Sequence, residues 1–126
     1  MKIPFDLLYS NDHEWVKLDG EVATIGITDF AQRELGDIVY VEIETVGDFL
    51  AQEQVFGTVE AVKTVSDLFM PLGGEVLEFN TLLEETPEVV NEEPYKSGWL
   101  IKIKIDNPVQ LKDLLSADQY KELIQA

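Results

Sequence analysis

The stretch that decides the fold runs from Gln54 to Met70, QVFGTVEAVKTVSDLFM. Gln54–Val62 and Asp67–Met70 are apolar, β-branched or aromatic runs of strand length, and a short tip, Lys63–Ser66, separates them. Two such runs around a tight tip predict an antiparallel hairpin whose tip side chain stands in solvent. Lys63 has that place, and it is the only base between Arg33 and Lys96, so its surroundings are strongly acidic. A lysine so presented is exposed and protruding, which is the geometry a modifying enzyme needs, and acylation would remove its charge. On spacing alone the plain alternative stands beside it: a turn lysine paired with Glu60 or Asp67.

The same patterning extends in both directions. Glu14–Leu18 and Glu21–Thr28 read as two strands joined by an Asp19-Gly20 turn. Thr28 or Asp29 caps a short helix with Ala31 and Leu35 four apart, and Gly36 ends it. Asp37–Glu44 alternates apolar and polar residues as a half-buried strand does, and Val46-Gly47-Asp48 turns the chain. Beyond the hairpin, Pro71-Leu72-Gly73-Gly74 interrupts the ladder before Glu75–Phe79 resumes it. Leu82–Glu93, acidic and broken by Pro87, is expected to be irregular. Trp99–Ile105 alternates again, with Lys102 and Lys104 on one face. Asn107-Pro108-x-Gln110 and Ser116-x-x-Gln119 each carry a cap and a capping-box glutamine, so C-terminal helices are expected over about 108–125. Many short strands with small terminal helices predict a mainly β sandwich or barrel with helical decoration, in one domain over residues 1–126.

Composition narrows the chemistry. A chain of 126 residues with 45% hydrophobic residues has enough apolar side chains for a real core and does not read as disordered. Twenty-five acids against nine bases give a net charge of -16, a poor surface for nucleic acid or anionic lipid and a good one for partners with positive patches. With no cysteine, disulfides, thiolate metal sites and cysteine nucleophiles are excluded, and sulfur redox chemistry would have to arrive on a cofactor. No apolar run approaches the roughly 20 residues of a membrane span, and the start lacks a secretory apolar region, so a cytoplasmic protein is expected.

Catalytic signatures are missing: there is no G-x-G-x-x-G after a strand, no phosphate-binding G-x-x-x-x-G-K-[ST], no H-E-x-x-H and no G-x-S-x-G. His13, the sole histidine, is flanked by Asp12 and Glu14 and reads as a strand-end residue making local hydrogen bonds, not as a metal ligand or triad member. The acid pairs Glu84-Glu85 and Glu92-Glu93 read as a solvated loop. Trp15 and Trp99 read as packing residues, and Gly57 as a strand position that needs close backbone approach.

Taken in order, several runs resemble the H protein family of the glycine cleavage system. They are His13-Glu14-Trp15, Leu35-Gly36-Asp37-Ile38-Val39 followed by Val46-Gly47, and Phe56-Gly57-Thr58-Val59-Glu60-Ala61-Val62-Lys63. Then come Ser66-Asp67, Pro71 with Gly74-Glu75-Val76, Val90-Asn91 and Pro94-Tyr95-x-x-Gly98-Trp99, so the resemblance spans nearly the whole chain. It implies a barrel-sandwich hybrid, lipoyl-domain-like, with a short internal helix and C-terminal helices. It also implies lipoate in amide linkage on Lys63, with Glu60 and Asp67 as the context of the modification site. In that family the lipoyl arm takes the aminomethyl group of glycine at the decarboxylase, or P protein, and gives it to the aminomethyltransferase, or T protein. Dihydrolipoamide dehydrogenase, the L protein, reoxidises it. The chain would then be a carrier and no enzyme, modified by a lipoate ligase or a lipoyl or octanoyl transferase, and expected to be a monomer. The family's loaded arm folds back into a surface cleft, and His13, Glu14 and Asp67 match positions near it. Glu14 and Asp67 read equally well as surface acids. Gly73 and Thr64 depart from the usual serine and alanine, and neither departure replaces Lys63. An H-like protein relaying lipoate or octanoate to other proteins needs the same lysine, and an unmodified acidic interaction module would keep the same fold.

Overall fold

The alternation of apolar and polar residues builds two antiparallel sheets in the computed structural model, which describes residues 1–125. In chain order the elements are β1 (Leu8–Tyr9), β2 (Glu14–Asp19), β3 (Val22–Ile27), α1 (Asp29–Leu35), β4 (Ile38–Glu42) and β5 (Phe49–Leu50). There follow β6 (Val55–Ala61), β7 (Val65–Phe69), β8 (Gly74–Phe79), α2 (Leu82–Glu85), α3 (Val89–Glu92) and β9 (Ile101–Ile105), then a 3-10 turn (Pro108–Asp113) and α4 (Ala117–Ile124). The larger sheet runs β1-β2-β3-β9-β8-β5 and the smaller β4-β6-β7. Register carries the core across the larger sheet: Ala23 pairs with Ile103 and Ile103 with Val76, and all three are buried. Val41, Val59 and Leu68 of the smaller sheet belong to the same core, which is the barrel-sandwich arrangement expected.

Neighbouring residues of β2 serve opposite faces. Val16 enters the main core, while Trp15 joins a second cluster with Ile3, Leu7, Tyr9, Ala117 and Tyr120. The indole lies so close over Gly26 that a side chain there would collide with it, and its Nε1–H donates to the Pro94 carbonyl at 2.9 Å. Thus the N-terminal segment and α4 close over the outer face of β2, tied by the Tyr9–Leu115 bridge.

Three expectations change. β7 starts at Val65, since the Glu60–Val65 pair carries the ladder up to the tip, which leaves Val62–Thr64 as the turn. Residues 82–93 are not irregular: α2 and α3 form one turn on each side of Pro87 because Leu83 and Val90 drop into the core. The first C-terminal helix is a 3-10 turn. Asn107 caps it by accepting from Val109 N, but Gln110 accepts from Gly73 N at 2.8 Å and does not complete the box. At α4 the box is complete, with Gln119 N donating to Ser116 Oγ and Ser116 N to Gln119 Oε1. β1 and β5, two residues each, were not anticipated. Among the described residues no helix is long and apolar enough to cross a membrane.

Candidate functional site

The tip between β6 and β7 is braced from below. Ala61 N donates to the Thr64 carbonyl at 2.7 Å, and Val62 N donates to the carbonyl of Asp37 at 3.0 Å, in the corner between α1 and β4. That corner turns at Gly36, whose φ of 81° is left-handed and costs a side chain dearly. The Lys63 side chain passes beside this corner, its Cε 3.5 Å from where a Cβ on Gly36 would stand, an ordinary contact distance. The lysine is exposed, and among the described residues the one ion pair is Arg33–Asp29 at 3.4 Å. The pairing of Lys63 with Glu60 or Asp67 that spacing allowed is therefore not formed. Glu60 stands exposed between Tyr40 and Val65 on the smaller sheet, and Asp67 is exposed opposite Thr58.

Asn91 fixes the corner. Its Oδ1 accepts from Ile38 N at 2.9 Å, and its Nδ2 donates to Gln32 Oε1 and to the Gly36 carbonyl, each at 2.9 Å. One side chain thereby joins α3, α1 and β4 beneath the lysine.

Beside this corner a cleft of about 370 Å³ opens between α1 and β7. Its walls include Ile27, Phe30, Leu35 and Leu68, and its polar residues include Asp12, His13, Glu14, Glu34 and Asp67. The structure thus brings His13, Glu14 and Asp67 onto one cavity, with Lys63 standing on the corner where α1 ends. Glu14 is not a surface acid: it is 1% exposed, with Oε1 accepting from Ser10 Oγ and Oε2 from Phe69 N at 2.9 Å. Burial pushes its carboxyl up to about 8, against the opposing pull of those two hydrogen bonds. His13 sits at φ 65°, its Nδ1 2.9 Å from Tyr120 Oη and its ring tilted against Phe30 at 4.9 Å. Burial lowers its pKa, while Asp12 and Glu34 pull the other way. The backbone N–H makes the local kind of bond the sequence suggests, to the Ser10 carbonyl at 3.2 Å, while the partner of the ring is 107 positions away.

Sequence reasoning missed Glu34, Phe30 and Tyr120 as neighbours of the cleft. Only the helical spacing of α1 could have found the first two, and nothing local signals Tyr120. A larger groove of about 630 Å³ lies between the N-terminal segment and α3, with Lys2, Lys17, Asp29 and Glu92 among its residues. It contains none of His13, Glu14, Asp67 or Lys63 and mixes both charges, so the smaller cleft is the candidate site. Among the described residues no group of three or more His, Asp or Glu side chains could hold a metal ion.

Comparison with known proteins gives one answer. The sequence model of a family described as "Glycine cleavage H-protein" matches residues 7–126. A glycine cleavage system H protein of Bacteroides fragilis is 54% identical over 126 residues, covering all of both chains. One from Chlorobium limicola is 59% identical over 126 residues, covering 98% of each. Among solved structures, a glycine cleavage system H protein from Mycobacterium marinum superposes with a TM-score of 0.87 at 33% identity, over 98% of this chain and 100% of that one.

Proposed function

This chain belongs to the glycine cleavage H-protein family, and from that premise we propose that Lys63 is the residue through which it does its work. The protein is the lipoyl carrier of the glycine cleavage system, a non-catalytic component that serves the P, T and L proteins in turn. The lipoyl group supplies the dithiol chemistry that moves the aminomethyl group of glycine from the P protein to the T protein, with the L protein restoring the disulfide.

What this chain supplies is presentation and shelter. The braced tip holds Lys63 out for an attaching enzyme, a lipoate ligase or a lipoyl or octanoyl transferase, with Glu60 and Asp67 flanking the surface that enzyme reads. The cleft fits an arm that is mostly hydrocarbon: Ile27, Phe30, Leu35 and Leu68 exclude water along its length. At the polar end the exposed Asp67 accepts a hydrogen bond from an amino group, with buried Glu14 behind it and His13 on the cleft wall. Tethering keeps cargo at a local concentration set by the arm rather than by the bulk solution. A monomer in the cytoplasm completes the proposal, since a carrier that visits three enzymes needs its tip uncovered.

The observation that carries the reading is Lys63 exposed and unpaired on a tip fastened beside a cleft lined by both apolar and acidic side chains. Its test is intact mass before and after incubation with a lipoate ligase and lipoate, followed by peptide mapping. One lipoyl increment on Lys63 is expected. No increment, with the chain folded and the ligase active on another acceptor, overturns the assignment.

A further inference from the structure

Two buried hydroxyls and the half-buried His13 at the head of α1 form a chain whose proton order can be deduced. Thr28 is the N-cap of α1 and is 0% exposed; its Oγ1 accepts from Ala31 N at 3.1 Å. Its own hydroxyl proton then needs an acceptor, and the one the structure offers is Tyr120 Oη at 2.7 Å. Tyr120 is also 0% exposed, so its proton in turn must be accepted, and what remains within reach is His13 Nδ1 at 2.9 Å. Buried hydroxyls are rarely left without an acceptor, because the lost bond to water is not recovered. The reverse order would leave the Thr28 proton unused. His13 Nδ1 therefore accepts, and an imidazole whose Nδ1 accepts is neutral and carries its proton on Nε2.

We propose that Tyr120 of the C-terminal helix is a positioning residue of the cleft: by donating to His13 Nδ1 it locks the ring as the neutral Nε2–H form and makes that N–H a fixed donor on the cleft wall. Asp12 and Glu34 act on the charge of the ring and Asp67 lines the same cleft; these carboxylates accept and do not donate, so the His13 N–H meets an accepting group of the arm that they repel. The inference rests on the reading of this cleft as the arm's resting place. It gives α4, which lies against β1 on the far side of β2, a part in the site. Burial lowers the pKa of His13, which favours the neutral ring that this order requires.

The sequence contains one histidine, so ring nitrogen signals need no assignment. The test is long-range proton–nitrogen NMR on ¹⁵N-labelled full-length chain, from pH 5 to 8, with and without lipoate on the carrier. The expected wild-type ring is a single Nε2–H form. Tyr120→Phe keeps the stack on Tyr9, whose ring lies 4.7 Å away, and should release the ring into a mixture of both neutral forms. Thr28→Ser, which keeps the hydroxyl, should look like wild type. Should Tyr120→Phe fail to fold, Thr28→Ala frees Tyr120 Oη to accept and should give the same mixture. A wild-type ring protonated at Nδ1, or a mixture indifferent to these changes, overturns the positioning role. A locked ring whose signals are identical with and without lipoate overturns instead the reading of the cleft.

Discussion

Replacing Glu14 by glutamine measures how strongly the cleft holds a buried acid. The variant keeps an acceptor for Phe69 N, reverses the bond with Ser10 Oγ so that the amide donates, and removes the titration. The folded carboxyl sits near 8 against an ordinary 4.5. At roughly 1.4 kcal/mol per pH unit that difference is worth on the order of 5 kcal/mol, a large part of what a domain of this size has in total. Because the folded chain holds this proton more tightly than the unfolded chain, the stability it contributes is complete below about pH 4.5 and is lost as the pH rises through about 8. The substituted amide does not titrate, so wild-type stability minus variant stability isolates the group from the other acids. The assay is urea unfolding at steps from pH 4.5 to pH 8.5, followed by the fluorescence of buried Trp15, the next residue in β2. The difference should fall steadily across that interval. If it stays flat, the buried carboxyl titrates like an exposed one and the account of the cleft is refuted.

Three other perturbations follow from the same geometry. Lys63→Ala should leave the unfolding midpoint within about 0.5 kcal/mol of wild type, as exposed substitutions do, and abolish glycine–bicarbonate exchange in a reconstituted system; exchange that persists would sink the carrier assignment. Gly57→Ala puts a methyl 2.5 Å from the Glu42 carbonyl and should cost roughly 1–3 kcal/mol by denaturant titration, so an unchanged midpoint would show that β4 and β6 are less closely apposed than drawn. Asn91→Ala removes three hydrogen bonds beneath the tip and should cost about 1–3 kcal/mol, with faster amide exchange at Ile38 as the local signature. Slow exchange at Ile38 in that variant would mean the corner is held by something else.

The hairpin around Lys63, the Asp19-Gly20 turn, Thr28 as a cap and Gly36 as a stop were legible because each depends on residues a few positions apart. Residues 82–93 were misread because charge and Pro87 outweighed Leu83 and Val90, whose burial depends on what lies opposite them. Gln110 looked like a capping residue, yet Gly73 offers its side chain a better bond from 37 positions away. The site divides the same way. Lys63 and its flanking residues form a contiguous motif, and resemblance pointed to His13, Glu14 and Asp67. The burial of Glu14 and the bond from Tyr120 are long-range facts that no local pattern encodes.

The order of strands in the larger sheet has a consequence for synthesis. β9 lies between β3 and β8, so that sheet stays unfinished until Ile105 has been made, whereas β4, β6 and β7 are complete by Phe69. At roughly 5–20 residues per second, the stretch from β3 to β9 leaves β3 waiting for several seconds for its neighbour. During that interval the hairpin bearing Lys63 can already be paired, while the facing edges of β3 and β8 have unmet N–H and C=O groups. A chain that stalls in translation before residue 101 therefore ends with a formed tip and two open edges, the state in which strands of separate copies join.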